Sequence, residues 1–514
     1  MPKTLNLIFK NSFSNTISFG VTVLTTLFLT PFIIHSLGDS DYGIWVLIGS
    51  ICGFYGLLDL GISSSVVRYV SKFIAIDDSD NINGTVNTCL FLYSIIAVFI
   101  LIFAWVLSIL LPLVAKIPTG RESVTSAVLI VLGASLALSF PARVFRGVLQ
   151  AVMRYDIASG VEIVITLLRA LSIVVVLESG HGLIALALVT LAATIVQLCL
   201  YSFFAFKKYP LLKLGIGFIE KRKVKEIFNY SIFKFIASLG DVLRFNLDSV
   251  VIGAVISVSA ITPYAVAQRL IRYFMTLVSE IFTVTTPLYS SYEAKSENIA
   301  IQKLLTNSTF YSALIAFFIA AMFIIYGDTF ITLWIGAEYS QKAYIVLVIL
   351  SISFALALAQ NPTIVAAYGT EKHKMLAVIT VFEGVVNMIL SIILAKKMGL
   401  VGVALGTAIP MVITKAIIQP VYMCRVIGLS WASYFKDCFF VNVLIAIAFT
   451  LPHLAAKRYI QIDSFYQLVG AVVVSSGVFI LLSVSFLSVE QKAFWKCRLS
   501  DLKGRFVCRT GDGA

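Results

Sequence analysis

IFNYSIFKFIASLGDVLRFNLDSVVIGAV, residues 227–255, decides how the chain is read. The stretch is long and apolar enough to cross a bilayer, yet it carries Lys234, Asp241, Arg244 and Asp248. These stand at i, i+7, i+10 and i+14, and at about 100° per residue they share an arc of roughly 80° on one helix face. A charge at the centre of a membrane helix costs on the order of 3 kcal/mol by insertion scales. A single stripe is how a helix tolerates several, because the stripe can face a wet cavity while the other faces meet lipid or neighbouring helices. Arg244 lies three residues from Asp241 and four from Asp248. A neutralised structural network therefore stands beside the cavity reading.

The rest of the chain supports a membrane setting. Of 514 residues, 59% are hydrophobic and 13% charged, with a mean hydropathy of +0.97, where a soluble domain has about 25% charged residues. Apolar spans fall at 13–36, 42–64, 88–114, 123–142, 158–178, 182–206, 227–255, 262–288, 304–327, 343–366, 375–395, 400–423, 437–456 and 465–488. Each has about 20 residues or more, enough for a hydrocarbon core of about 30 Å. The expected fold is an all-α membrane protein of about 14 transmembrane helices, with twelve as the alternative count. No short cleavable leader is read at the start, so the first helix is expected to be retained.

Basic residues orient the spans. With the N-terminus in the cytoplasm, inward segments hold 26 Lys and Arg and outward loops 7, the remaining 6 lying within spans. Both termini are thus expected in the cytoplasm. The same asymmetry turns the formal charge of +13 into a topology and lipid-surface signal, and no nucleic-acid partner is expected. The seven cysteines avoid the outward loops and fit reduced thiols, and the four histidines have no metal-ligand spacing.

The basic connection KKYPLLKLGIGFIEKRKVKE, 207–226, divides twelve spans equally, and a weak repeat at an offset near 220 crosses it. Tyr42-Gly43 answers to Tyr264-Ala265, Pro141 to Pro362, Glu162 to Glu383, and GLIALAL (182–188) to GVALGTA (402–408). The expected organisation is an N-terminal six-helix lobe (1–206), the linker, a C-terminal six-helix lobe (227–424), two further helices (425–489) and a basic tail (490–514). An even number of helices per repeat makes the lobes parallel.

Other spans carry polar stripes. In the eighth, Arg269, Arg272, Thr276, Glu280 and Thr283 share an arc of about 80°. Glu162, Thr166 and Arg169 line one face of the fifth, and Thr380, Glu383, Asn387 and Ser391 one face of the eleventh. The second has Asp59, with Arg68 near its inner end. An arginine fork suits phosphate oxygens, so Arg68, Arg169, Lys234, Arg244, Arg269 and Arg272 are candidate headgroup contacts. Asp59, Glu162, Asp241, Asp248, Glu280 and Glu383 are candidates for gating or for coupling to H⁺ or Na⁺. Packed polar contacts between helices would produce the same stripes. There is no G-x-S-x-G, P-loop or HExxH motif, no repeated filter loop, and no sizeable outward loop bearing acids. A transporter is expected and not an enzyme, and no cofactor is expected.

LGDSDYGIWVLIGSICGFYGLLDLGISSSVVRYVSKF, 37–73, resembles the polysaccharide transporter branch of the flippase and multidrug-exporter superfamily, which includes the O-antigen-type oligosaccharide flippases. The resemblance is carried by Leu37-Gly38, Tyr42-Gly43, Asp59-Leu60-Gly61 and Arg68, and by LDSVVIGAVISVSAITPYAVAQRL, 247–270. It implies two lobes around a cavity open alternately to each side. It also implies a substrate, undecaprenyl-pyrophosphate-linked oligosaccharide units moved across a bacterial cytoplasmic membrane. The partners implied are membrane lipids and a polysaccharide polymerase machinery. Fourteen helices is the count in the relatives that move the peptidoglycan lipid precursor. A drug or cation exporter of the same superfamily is the nearest rival, and a polytopic transferase the more distant one.

Overall fold

The computed structural model describes residues 2–283, 285–370, 372, 374–457 and 459–486, without the side chains of 2–13, 15–16, 228–241 and 243–245. Among the described residues there are helices and turns and no strand. That is the form expected where no water can satisfy the backbone. Contacts divide the chain into two compact units. The first holds Met1–Tyr273 and Lys374–Thr414, and the second Phe274–His373 and Lys415–Ala514.

Ten helical segments among the described residues are long and apolar enough to cross a membrane. Two of these are each a pair of limbs. Helix α1 (Pro2–Tyr55) breaks at Gly38, where φ is 75°, and runs on through Gly56–Asp59 into α2 (Ile62–Ile74). Further on, α13 (Lys374–Met411) breaks at Gly399, where φ is 59°. The charged helices α7 (Lys221–Val255) and α8 (Ile261–Thr283) are not among the ten. Counting both limbs of each pair and adding α7 and α8 is consistent with fourteen crossings.

In the first unit α1 and α2 are followed by α3 (Ser79–Val114), α4 (Glu122–Ala151), α5 (Tyr155–Glu178) and α6 (Leu183–Lys208). Asp78 caps α3 by accepting from the Asn81 backbone N–H at 3.0 Å and its side-chain amide at 2.6 Å. Those bonds, the side-chain one foremost, hold the Asp78 carboxyl below the usual carboxylate range. The second span is not the continuous helix its composition suggests. Asp59-Leu60-Gly61 is a break, with Leu60 at φ 47° and Gly61 at φ 75°, and a left-handed leucine costs about 1 kcal/mol or more. Tyr42-Gly43 is helical, within the second limb of α1, and its glycine has a steric reason, since a Cβ at Gly43 would lie 2.2 Å from the Val258 carbonyl oxygen.

The connection after α6 is pinned to α3 by two asparagines one turn apart. Asn83 accepts from the Lys213 N–H at 2.9 Å and donates to the Leu211 carbonyl at 3.2 Å. Asn87 accepts from the Gly215 N–H at 2.9 Å and donates to the Lys213 carbonyl at 2.8 Å. Both asparagines are buried, so they replace water for a strand-like run of backbone. Replacing both by alanine removes four such bonds, each worth about 1 kcal/mol. Tryptic cleavage after Lys213 in the folded protein is expected to be markedly faster in Asn83→Ala/Asn87→Ala. An unchanged rate of linker cleavage would show that these bonds do not hold the linker down.

The second unit contains the end of α8, then α9 (Thr286–Ala294), α10 (Asn298–Trp334), α11 (Ala337–Ala359) and α12 (Asn361–Gly369). It continues with α14 (Gln419–Ile427), α15 (Trp431–Phe435), α16 (Val441–Lys457) and α17 (Phe465–Phe486). The last two helices pack on α10, where Ala321 and Ile325 meet Ile445, Phe449 and Phe479. Polar contacts reinforce that seam, Tyr326 with Ser475 at 2.8 Å and Lys457 with Asp328. Lys415, buried in this unit, donates to Gln419 at 3.1 Å.

Candidate functional site

Two acids of the first unit converge on one helix. The break at Asp59-Leu60-Gly61 projects Asp59 inward, where Ser63 donates to it at 2.9 Å and the Tyr93 hydroxyl also donates. Arg143 of α4 reaches the same carboxylate at 3.6 Å and lies over the Phe140 ring, 4.7 Å from its centroid. One turn along α4, Arg146 reaches Glu162 of α5 at 3.7 Å. Glu162 also accepts from Gln197 at 3.2 Å and from the Tyr201 hydroxyl at 3.0 Å. The two assemblies share one plan: a carboxylate fixed by a tyrosine and a second neutral donor, with an arginine of α4 standing further off.

A third acid is fully enclosed. Asp248 of α7, 2% exposed, accepts from the Tyr264 hydroxyl of α8 at 2.6 Å and from Thr407 of α13 at 3.1 Å. Ser391 in turn donates to Asn387 at 2.9 Å. Thr407 is brought there by the hairpin at Gly399. Its limbs cross at Gly402 and Gly406, where added Cβ atoms would lie 2.1 Å from the Leu394 carbonyl oxygen and 2.4 Å from Ser391 Oγ. Small residues four apart let two membrane helices approach closely. Glu383 is buried on the same hairpin, with Thr414 donating to it.

The remaining sequence candidates are spread out. Arg269 donates to the buried Thr30 of α1. Arg68 is exposed in the middle of α2, 5.8 Å from the Tyr69 ring centroid. Arg169 and Arg272 are exposed in the first unit, and Glu280 is exposed in the second. The side chains of Lys234, Asp241 and Arg244 lie outside the described residues.

Sequence reading missed Arg143, Arg146, Tyr93 and Tyr201. The apolar span had been expected to end at 142, which left both arginines among the inward loop charges, whereas α4 continues to Ala151. The signal that could have found them is two arginines at i, i+3 followed by the mostly apolar stretch 147–153, GVLQAVM.

The geometry can hold anions near α4 and keep a buried carboxylate hydrogen-bonded at α7. Comparison with known proteins gives these features a setting. EpsK of Bacillus subtilis (strain 168), described as an uncharacterized membrane protein, is 22% identical over 487 residues, 94% of this chain and 96% of that one. Agl15 of Haloferax volcanii, a probable low-salt glycan biosynthesis flippase, is 24% identical over 193 residues, 37% of this chain and 40% of that one. The fold matches the lipid II flippase MurJ in an inward closed conformation, with a TM-score of 0.69 at 13% identity over 93% of this chain and 98% of that one. The family model for polysaccharide biosynthesis proteins matches residues 36–344, more than half of the chain. The chain is therefore a multi-pass membrane protein that belongs to the polysaccharide biosynthesis protein family.

Proposed function

We propose that the protein flips undecaprenyl-pyrophosphate-linked oligosaccharide units from the inner to the outer leaflet of a bacterial cytoplasmic membrane, with both termini in the cytoplasm. The observation that carries the reading is the polysaccharide biosynthesis family match on a chain whose apolar helices hold paired acids and arginines. The physical task is to carry a charged pyrophosphate and a sugar chain past hydrocarbon while the polyprenyl tail stays in lipid. Polar contacts inside the protein lower the desolvation cost of the headgroup, and rocking of two lobes changes which side is open. Arg68, Arg169, Lys234, Arg244, Arg269 and Arg272 are the sequence-derived candidates for the headgroup. The buried acids Asp248 and Glu383 are the candidates for coupling to H⁺ or Na⁺. The units delivered outside would feed a polysaccharide polymerase.

Deleting the gene in its native host tests this. The expected result is loss of a surface polysaccharide, with its lipid-linked unit accumulating on the cytoplasmic face and plasmid-borne protein restoring both. Normal polysaccharide together with reduced drug efflux would overturn the reading in favour of an exporter.

A further inference from the structure

We infer that Arg143 and Arg146 form a site for the diphosphate of a lipid headgroup, and that Asp59 and Glu162 hold the two arginines while the site is empty. The inference rests on the flippase reading and adds to it the residues that first meet the charged group.

Four observations carry it. The arginine–carboxylate separations are 3.6 and 3.7 Å, where a charge-assisted N–H···O bond spans about 2.7–2.9 Å. The arginines are thus attracted to the acids without being bonded to them. Each acid is already satisfied by neutral donors, Ser63 and Tyr93 for Asp59, Gln197 and Tyr201 for Glu162. An arginine can leave without stranding a bare carboxylate, and the usual penalty for breaking an ion pair inside a protein is reduced. The arginines have donors to spare, since a guanidinium carries five N–H groups and Arg146 Nε is buried without a hydrogen-bond partner. Both side chains are also reachable, at 36% and 43% exposed.

Position on α4 completes the case. Arg143 and Arg146 are separated by one turn, so their forks sit side by side about 5–6 Å apart at Cβ. At 1.5 Å per residue they lie about 12 and about 8 Å from the Ala151 end of the helix. In the proposed topology that end is cytoplasmic, the side from which a lipid-linked unit must load. Phe140 supports Arg143 from below through its ring face. A planar fork matches phosphate oxygens in pairs. A doubly charged diphosphate therefore competes with two single carboxylates for the same two cations.

The full-length protein, purified in detergent, is titrated with farnesyl pyrophosphate and, separately, with inorganic pyrophosphate. Arg143→Gln/Arg146→Gln is expected to weaken farnesyl pyrophosphate binding by about tenfold or more. Asp59→Asn and Glu162→Gln are expected to tighten it several-fold, because each removes a resident competitor. A purely structural ion pair predicts the opposite for the acid variants, weaker binding or none. Arg143→Lys/Arg146→Lys keeps the charge and loses the fork, and an intermediate loss is expected.

The neutral pair Asp59→Asn/Arg143→Gln guards against a folding defect. It removes both charges together, and with a monodisperse protein its binding is expected to stay weak. Wild-type affinity in either arginine double variant, or weaker binding in the acid variants, would overturn the inference. Arginine-dependent binding of inorganic pyrophosphate alone would overturn its assignment to a lipid headgroup. The flippase reading fails separately. Normal surface polysaccharide in the deletion strain, with arginine-dependent farnesyl pyrophosphate binding intact, would remove the reading and leave the anion site.

Discussion

Asp248→Ala is expected to abolish function by lowering the amount of folded protein, and Asp248→Asn to abolish it with the protein still present. Asp248 is 2% exposed and serves as acceptor for Tyr264 and Thr407. Alanine leaves the Tyr264 hydroxyl without its acceptor in a buried place and leaves Thr407 only the 3.4 Å contact with Asn387. A stranded hydroxyl costs about 1–3 kcal/mol, and the cavity left by the side chain adds to this. A marginally stable fold has about 5–15 kcal/mol in all. Asparagine keeps an acceptor oxygen and nearly the same shape, so it preserves the contact while removing the charge. The two variants separate the structural role of the carboxylate from its role in transport. The measurements are membrane-fraction immunoblots and restoration of surface polysaccharide in a deletion strain. Full restoration by Asp248→Asn would show that the charge at this position is dispensable.

Gly402→Val is expected to prevent accumulation of folded protein altogether. An added Cβ there would lie 2.1 Å from the Leu394 carbonyl oxygen and 2.9 Å from the Ala395 nitrogen. These are backbone atoms of the opposing limb of α13 and cannot rotate away. Forcing the limbs apart costs about 3 kcal/mol or more, at or beyond the upper end of overpacking penalties. It would also carry Thr407 away from Asp248, so two sites fail together. Gly470→Ala in α17 is the control. Nothing lies within 4 Å of its added Cβ, and helix propensity there gains up to about 1 kcal/mol. Thermal unfolding of the detergent-extracted proteins reads both. Normal accumulation of Gly402→Val with an unchanged midpoint would mean that the hairpin is not as tightly closed as described.

Much of the fold was legible because membrane helices obey a local rule. About twenty apolar residues must run together, and every backbone group must be satisfied within its own segment. The positions of the apolar spans follow from that alone. The Tyr42-Gly43 and Asp59-Leu60-Gly61 motifs were visible as patterns, though their physical meanings were not. Gly43 answers to a carbonyl more than two hundred residues away, at Val258. Asp59-Leu60-Gly61 is a helix break inside a stretch that composition reads as one apolar span. The arginines of α4 were hidden for a similar reason. Their charge placed them in a loop on a topology count, whereas α4 runs on past both to Ala151.

The sequence by itself determined that this is an all-helical membrane protein, where its charges interrupt the apolar spans, and which family its motifs resemble. All of these depend on composition and spacing along one segment at a time. Only the tertiary structure decided which acid meets which donor. Asp59 and Glu162 lie on different helices and are drawn to α4, while Asp248 is closed in by Tyr264 and by a threonine 159 residues further on. Such pairings are fixed by how closely helices approach, at Gly402 and Gly406 for example. That distance is set by the packing of both partners, and no single helix encodes it.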